Sequence, residues 1–146
     1  MRVAVVTPYY RETDDVLQAC LASVRDQTHP SCRHFLVADG HPNLLVAGWD
    51  VRHIVLPIAH GDNGNLARCV GAMAAAAEDF EAIAFLDADN WYRSDHLARM
   101  VELHRSTGAA VCTSSRSIHR PDGSVLFDRD PEASDRPSYV DTSCLC

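Results

Sequence analysis

Two carboxylates, Asp87 and Asp89, directly follow the apolar run Ala82 to Leu86. The run is typical of a buried strand, so both acids are predicted to lie where the core opens and to need a counter-charge. Carboxylate, water and phosphate oxygens are the ligands that Mg²⁺ and Mn²⁺ prefer. The spacing therefore predicts a divalent cation that cancels the two charges and carries a phosphorylated ligand.

Polar side chains also follow two other predicted strands. Val3 to Val6 runs into Thr7 to Tyr9, and Phe35 to Ala38 runs into Asp39. Ligands of an open parallel sheet bind outside the carboxyl ends of its strands, so these side chains are predicted to share one rim with the acidic pair. Each residue alone also has a purely structural interpretation, because strands commonly end where polarity begins.

The elements that would position these side chains alternate between strands and helices, which predicts an α/β fold with a mostly parallel central sheet flanked by helices. The predicted strands are Val3 to Val6, Phe35 to Ala38, Ile54 to Leu56, Ala82 to Leu86 and Ala109 to Thr113. Helical spacing predicts three helices. The predicted buried residues of the first are Val16, Leu17, Cys20, Leu21 and Val24, and those of the second are Leu66, Val70, Met73 and Ala77. Those of the third are Leu97, Met100, Val101 and His104. Thr13 or Asp14 is predicted to cap the first helix, and Ser94 is predicted to cap the third. The residues Arg120 to Gly123 are predicted to form a hairpin turn.

The composition excludes several classes of protein. At 146 residues the chain is predicted to form one domain, residues 1–146, and its net charge of −7 argues against non-specific nucleic-acid binding. No apolar run approaches the roughly 20 residues of a membrane span, and no signal peptide is recognised. The six cysteines include no C-x-x-C pair and lie mostly in apolar runs, which favours reduced core thiols in a cytoplasmic protein.

Five motifs, in order, resemble those of family 2 glycosyltransferases of the GT-A fold, which is Rossmann-like. VAVVTPYYRE is similar to the family's first strand and turn, with Tyr10 where Asn is usual, and Ser23 to Thr28 resembles its Ser-x-x-x-Gln-Thr. FLVADG looks like the strand that ends in Asp-Asp-Gly, with Ala38 replacing the first Asp. Asn63 to Arg68 resembles the Asn-x-Gly…Ala-Arg-Asn segment, with Cys69 replacing the last Asn, and FLDADN matches the metal-binding D-x-D region.

The resemblance implies a site for a nucleotide-sugar donor. The implied nucleotide contacts are Thr7, Pro8, Tyr9, Glu12, Asp39, Arg68, Asp87 and Ala88. Asp39 would accept a hydrogen bond from the base, commonly the imide N–H of uracil, and Arg68 would lie near the base or the diphosphate. Asp89 would be a ligand of Mg²⁺ or Mn²⁺, and Asp87 would contact the ribose or the same ion. Gly40-His41 replaces the family's Gly-Ser, which leaves the choice of nucleotide open.

By resemblance, the reaction is a metal-dependent, inverting transfer of a sugar from a nucleotide diphosphate sugar, with UDP-sugar as the expected donor. The acceptor would be a carbohydrate or a lipid-linked molecule, and a lipid acceptor would bring the protein to the inner membrane face. The general base is expected beyond Cys146, because acids such as Asp128 and Asp130 lack the expected apolar surroundings. Tyr139 to Cys146 looks like the beginning of a strand, so the domain is expected to be truncated and incomplete on its acceptor side.

Two other functions fit parts of the pattern. A nucleotide-sugar-binding module without catalysis, degenerate or truncated, would keep the donor site and lack the base. An α/β hydrolase of phosphate esters is the second alternative, since haloacid-dehalogenase-like phosphatases also carry D-x-D after a strand. Those enzymes place the motif after the first strand and carry Thr or Val two positions past the second Asp, whereas here the motif follows the fourth predicted strand and that position is Trp91.

Overall fold

A four-stranded parallel sheet lies at the centre of the computed structural model, which describes residues 1–120 and 122–128. Along the chain the elements are β1 Val3–Tyr9, α1 Asp14–Arg25, β2 Cys32–Ala38, a 3₁₀ helix Leu44–Gly48, β3 Arg52–Val55, α2 Asn65–Ala77, β4 Ala82–Phe85, α3 His96–Thr107, β5 Ile118–His119 and β6 Val125–Phe127. The order across the sheet is β3-β2-β1-β4, and every pair is parallel. The predicted α/β fold with a mostly parallel sheet is confirmed.

The central strand β1 is longer than the sequence predicts. Its apolar signal stops at Val6, but its pairing with β2 continues to Tyr9, which is aligned with Ala38. All seven of its residues are buried, because β2 pairs with the whole strand, β4 pairs with Val3 to Val6, and helices cover both faces. The polar Thr7 therefore lies in the core, because the backbone pairing of β1 with β2 continues past Val6.

The two faces of the sheet have separate cores that follow the alternation of side chains along a strand. On one face Val3 and Val5 pack with α1 and α3, through Cys20, Val24 and Leu97. On the other face the core contains Ala4, Val6, Phe35 and Val37 of the sheet with Ala67 and Ala75 of α2. This arrangement confirms that helices flank both faces.

The predicted buried face of α2 is only partly correct, since Val70 packs against the core but its neighbours on that face do not. Leu66 and Met73 are exposed, and the buried residues are Ala67, Gly71 and Ala75. The helix lies so close to the sheet that a Cβ on Gly71 would be 2.5 Å from Cγ1 of Val6. Only very small side chains fit at this distance, so the large apolar residues that dominate a hydrophobicity pattern point outward.

Smaller differences concern helix starts and the last elements. No hydrogen bond from the Thr13 side chain caps α1, and α3 begins at His96 rather than directly after Ser94. Ala109 to Thr113 is not a strand, and only Thr113 makes an isolated bridge. The predicted hairpin is confirmed, since β5 and β6 are antiparallel and Gly123 adopts a φ of +84° in the turn.

Some predictions lie outside the described residues, including the strand at Tyr139 to Cys146 and the acid Asp130. Among residues 1–120 and 122–128 the cysteines are free thiols; Cys20 and Cys112 are buried, whereas Cys69 is exposed and not a core residue. No helix in the described part of the chain has the length and apolar character needed to cross a membrane.

Candidate functional site

A pocket of about 390 Å³ opens at the carboxyl ends of β1, β2 and β4, beside the loop that precedes α2. Its lining residues are Pro8, Tyr9, Tyr10, Glu12, Asp39, Gly61, Asn63, Gly64, Arg68, Asp87, Ala88 and Asp89. The fold therefore brings together all the residues that the sequence singled out for a site, with the exception of Thr7. Thr7 is fully buried, and its Oγ1 lies 2.9 Å from Nε2 of the core residue His34.

The counter-charge of Asp87 is supplied by Arg68. One guanidinium nitrogen of Arg68, Nη2, donates a short hydrogen bond to Oδ1 of Asp87, and Nη1 donates to the carbonyl of Asn63 at 2.7 Å. The Arg68 side chain is only 13% exposed, so the interaction is less screened by solvent than a surface ion pair. The sequence analysis assigned the charge of Asp87 to a metal ion and did not predict this ion pair.

Arg68 is held by the start of α2. Gly64 and Asn63 both have positive φ, +77° and +58°, and the chain reverses tightly before the helix begins. A Cβ on Gly64 would lie 2.9 Å from Cβ of Pro8, so the absent side chain lets this turn pack against β1. One side-chain nitrogen, Nε of Arg68, is buried without a hydrogen-bond partner in the described structure.

Asp89 differs from Asp87 because it is exposed to the pocket. Within residues 1–120 and 122–128, no side chain or backbone N–H forms a hydrogen bond or ion pair with its carboxylate. The turn that separates the two acids is fixed by the N–H of Asn90, which donates to the carbonyl of Asp87 at 3.0 Å. Asp89 therefore presents a free carboxylate at a defined position.

The donor set fits a hard cation that is shared with a ligand. No group of three or more His, Cys, Asp or Glu side chains in the described ranges is arranged to hold a metal by itself. Mg²⁺ in phosphate sites is commonly held by one or two carboxylates, with waters and phosphate oxygens completing its shell. Asp89 and the second oxygen of Asp87 match that requirement, so the residues suit Mg²⁺ or Mn²⁺ bound together with a diphosphate.

Asp39 is fixed by the chain that follows β3. Its carboxylate accepts hydrogen bonds from the N–H of His60 at 3.0 Å, from Nδ1 of His60 at 3.0 Å and from the N–H of Gly61 at 3.3 Å. Burial raises the pKa of Asp39, but these hydrogen bonds outweigh the effect and hold its pKa below the usual range. Asp39 is therefore an ionised, oriented acceptor at the end of the pocket nearest β2.

Tyr9 and Tyr10 have opposite environments. The ring of Tyr9 is 3% exposed, and its hydroxyl lies 2.7 Å from Nε2 of His53 and accepts the N–H of Asn43 at 3.0 Å. Burial, the largest effect, raises the pKa of this phenol, and the hydrogen bond from Asn43 partly opposes the rise. The buried Tyr9 ring is thus a structural group that contributes little free surface to the pocket.

Tyr10 is a pocket residue that the sequence analysis did not assign to the site. Its side chain is 40% exposed, and its ring meets His41 edge-on with centroids 4.7 Å apart. The guanidinium of Arg11 lies 4.9 Å from the centroid of the same ring, and Glu12 accepts the N–H of Tyr10 at 2.6 Å. Two consecutive tyrosines follow Pro8, and strand alternation was the available signal that they face in different directions.

The fold and the pocket place the chain among α/β domains that bind ligands at the carboxyl ends of parallel strands. Residues 4–130 match the model of Glycosyl transferase family 2. The chain therefore belongs to glycosyltransferase family 2, which its sequence motifs had predicted, and this membership argues against an unrelated phosphate-ester hydrolase.

Solved structures of TarS from S. aureus have the same fold. The crystal structure of TarS 1-349 in complex with UDP has a TM-score of 0.66 and 18% sequence identity, covering 76% of this chain and 34% of that one. Another structure of TarS 1-349 has a TM-score of 0.64 and 16% identity, covering 82% of this chain and 39% of that one. These similarities show the predicted GT-A fold, and the chain spans little more than a third of either TarS structure. No curated protein matches the chain.

Proposed function

We propose that this chain is the donor-binding domain, residues 1–146, of an enzyme that transfers a sugar from a nucleotide diphosphate sugar, with a UDP-sugar as the expected donor. The observation that carries the proposal is the meeting of Arg68, Asp87 and Asp89 around one pocket of a family 2 domain. A guanidinium beside two carboxylates provides both signs of charge that a metal-bound diphosphate requires. The UDP present in a TarS structure of the same fold supports the choice of nucleotide.

The nucleotide would extend along the rim of the sheet in the order of the strands. At the β2 end, Asp39 offers an ionised carboxylate to an imide N–H of the base, and the exposed ring of Tyr10 offers a face for stacking. Pro8 and Ala88 form the apolar floor between the two ends. The diphosphate would then lie at the β4 end, where the guanidinium of Arg68 lines the pocket and supplies positive charge.

The acidic pair would hold Mg²⁺ or Mn²⁺. Such an ion, when bound, supplies Lewis-acid stabilisation of the negative charge that develops on a leaving diphosphate. Asp89 would be a direct ligand because its carboxylate is free, and Asp87 would contribute the oxygen that Arg68 does not engage. Arg68 stabilises the same developing charge through its own hydrogen bonds.

In the proposed reaction an acceptor hydroxyl attacks the anomeric carbon as the bond from that carbon to the diphosphate oxygen breaks. The hydroxyl proton passes to a general base, the electron pair of the broken bond leaves with the nucleoside diphosphate, and a single displacement inverts the anomeric configuration. The acceptor is a carbohydrate or a lipid-linked molecule. A cytoplasmic location is part of the proposal, since the cysteines in the described part of the chain are free thiols.

Calorimetric titration of UDP and of GDP tests the donor site. We expect UDP to bind the wild-type protein with Mg²⁺ or Mn²⁺ and to bind much more weakly in EDTA. Asp89→Ala should remove this metal dependence. Asp50→Ala is the matched control, because Asp50 is an exposed acid that pairs with Arg33 before β3, at the opposite end of the strands. The proposal fails if neither nucleotide binds under any of these conditions.

A further inference from the structure

We propose that Trp91 is an aromatic platform that receives a pyranose ring of the acceptor saccharide. Trp91 is 53% exposed and lies two residues beyond Asp89, so their Cα atoms are separated by at most about 7.6 Å. The inference rests on the proposed sugar transfer, because it assigns the neighbouring surface to the second substrate of that reaction.

Trp91 lies in a segment whose backbone is held by hydrogen bonds on both sides of the indole. The next residue, Tyr92, is buried, its hydroxyl donates to the carbonyl of Phe85 at 2.7 Å, and its N–H donates to Oγ of Ser23 at 3.2 Å. On the other side of Trp91, the N–H of Asn90 closes the turn onto Asp87. The chain is thus anchored to the core immediately before and after the indole, which holds the ring outward at the rim.

The β5-β6 hairpin braces the indole from the side. The ring of His119 in β5 meets Trp91 at a centroid distance of 5.2 Å and an interplanar angle of 62°. His119 is itself held, with Nε2 2.9 Å from Oγ of Ser117 and Nδ1 3.3 Å from the carbonyl of Gly123. Because this contact is edge-on, the imidazole orients the indole while more than half of the Trp91 side chain stays accessible.

The chemistry of an oriented, exposed indole suits a sugar ring. A pyranose presents a face of C–H groups that packs against an aromatic ring, and hydroxyls at its edge that accept hydrogen bonds. Trp91 offers the apolar face and an indole N–H for which the described residues provide no acceptor. Trp91 therefore offers an oriented aromatic face and a polar N–H beside a ligand pocket, the combination that suits a ring with one apolar face.

The position along the rim assigns this surface to the acceptor rather than to the nucleotide. Asp39 lies at the end of β2, Pro8 belongs to β1, and Asp87 and Asp89 follow β4, so the pocket runs across the sheet in this order. Trp91 lies two residues beyond Asp89 at the β4 end of this rim, contacts His119 of β5 and is not part of the pocket lining. A saccharide on Trp91 would therefore approach the donor from the diphosphate end, where the bond to the sugar is broken.

The test follows the indole N–H signals of the two tryptophans, Trp49 and Trp91, by NMR in the presence of UDP and Mg²⁺. Cellotriose, maltotriose and triacetylchitotriose are the saccharide probes. We expect at least one of them to shift the Trp91 signal while the Trp49 signal stays unchanged. Trp91→Ala should weaken its binding by about tenfold or more, whereas Trp91→Phe should retain most of it and UDP affinity should stay constant.

The outcomes separate this inference from the donor-site proposal. If UDP binds but no trisaccharide shifts the Trp91 signal, or if Trp91→Ala binds the saccharide as well as wild type, the acceptor platform is refuted. A shift with UDP-glucose alone, absent with UDP and with the trisaccharides, would assign Trp91 to the donor sugar and would also overturn the inference. If UDP does not bind, the donor proposal fails, and the same titrations of the free protein still decide the role of Trp91.

Discussion

Arg68 donates to the carboxylate of Asp87 through one guanidinium nitrogen and to the carbonyl of Asn63 through another. The first residue of the acidic pair therefore already has a cationic partner, whereas Asp89 has none among the described residues. Asp87 and Asp89 thus have different electrostatic environments within one pocket. Asp87 pairs with the arginine, whereas the carboxylate of Asp89 has no partner in the described part of the chain.

The first prediction concerns the removal of this arginine. Arg68→Met should weaken UDP binding in Mg²⁺ by about ten- to a hundredfold, because a charge-assisted hydrogen bond to a phosphate contributes about 1.5–3 kcal/mol. The same change should strengthen the binding of Mg²⁺ alone, since it removes a positive charge and frees Oδ1 of Asp87. Calorimetry with UDP and with Mg²⁺ measures both effects.

Arg52→Met is the matched control for that experiment. Arg52 pairs with Glu78 at 2.8 Å on the surface, and it lies outside the pocket. Its replacement should leave both affinities within error of wild type. If Arg68→Met also binds UDP as wild type does, Arg68 serves only to hold the loop at Asn63 and has no direct role toward the diphosphate.

The second prediction separates the two neighbouring tyrosines. Tyr9→Phe removes a buried hydroxyl that interacts with His53 and Asn43, so it should lower the free energy of unfolding by about 1–3 kcal/mol. Its effect on UDP affinity should be small, because the ring is buried. Tyr10→Ala should do the opposite and weaken UDP binding by about tenfold, since base stacking on an exposed ring is worth about 1–3 kcal/mol.

Urea unfolding and calorimetry on the two variants give both quantities. Tyr10→Phe is the conservative control, because it keeps the ring that stacks and removes only the hydroxyl. If Tyr9→Phe lost UDP affinity and Tyr10→Ala did not, the base would contact Tyr9 rather than Tyr10, which would contradict this prediction.

Sequence patterns were sufficient for the architecture and for the location of the site. Alternating strands and helices determine a parallel sheet, and the residues at the ends of the strands then meet at one rim, so Asp39, Asp87 and Asp89 converge on one pocket as expected. The sequence pattern does not show which way side chains point when a strand continues beyond its run of apolar residues. Thr7 was predicted to face the pocket but is fully buried, and Tyr9 reaches the pocket lining with a ring that is mostly buried, because β1 extends to Tyr9.

The other failures have a similar physical origin. The partner of Asp87 depends on the tight turn at Asn63 and Gly64, which carries Arg68 across to β4, and this geometry has no signature in spacing. The buried face of α2 was misassigned because the distance between helix and sheet favours Gly71 over larger residues. Both features depend on tertiary distances rather than on periodicity.

The third prediction tests that close helix packing. Gly71→Ala places a Cβ 2.5 Å from Cγ1 of Val6 and 3.0 Å from Cγ2 of Val37, so the helix must move away from the sheet. Overpacking of this kind costs about 1–3 kcal/mol, which urea unfolding should report as a lower midpoint. Gly48→Ala is the matched control, since no atom lies within 4 Å of its added Cβ. Equal stability of the two variants would contradict the packing described for α2.

The fourth prediction concerns acid stability and the core residue His34. Burial lowers the pKa of His34 to about 3, and its Nδ1 has no hydrogen-bond partner in the described structure. In the unfolded chain the same imidazole has a pKa of about 6.5, so between roughly pH 6.5 and pH 3 the unfolded state binds one more proton. Protonation thus favours unfolding, and the free energy of unfolding should fall as the pH is lowered through this window.

The variant His34→Gln removes the titratable imidazole and keeps a polar side chain near the hydroxyl of Thr7. The variant should therefore show a flatter pH dependence, with a slope smaller than that of wild type by up to about 1.4 kcal/mol per pH unit between pH 6 and pH 4. Burial also lowers the pKa of His53, and that of His96 to about 4, so wild-type and variant proteins share a remaining slope of the same sign. Parallel curves for wild type and His34→Gln in urea unfolding from pH 7 to pH 4 would show that His34 is protonated in the folded core, which its bond to Thr7 and its burial argue against.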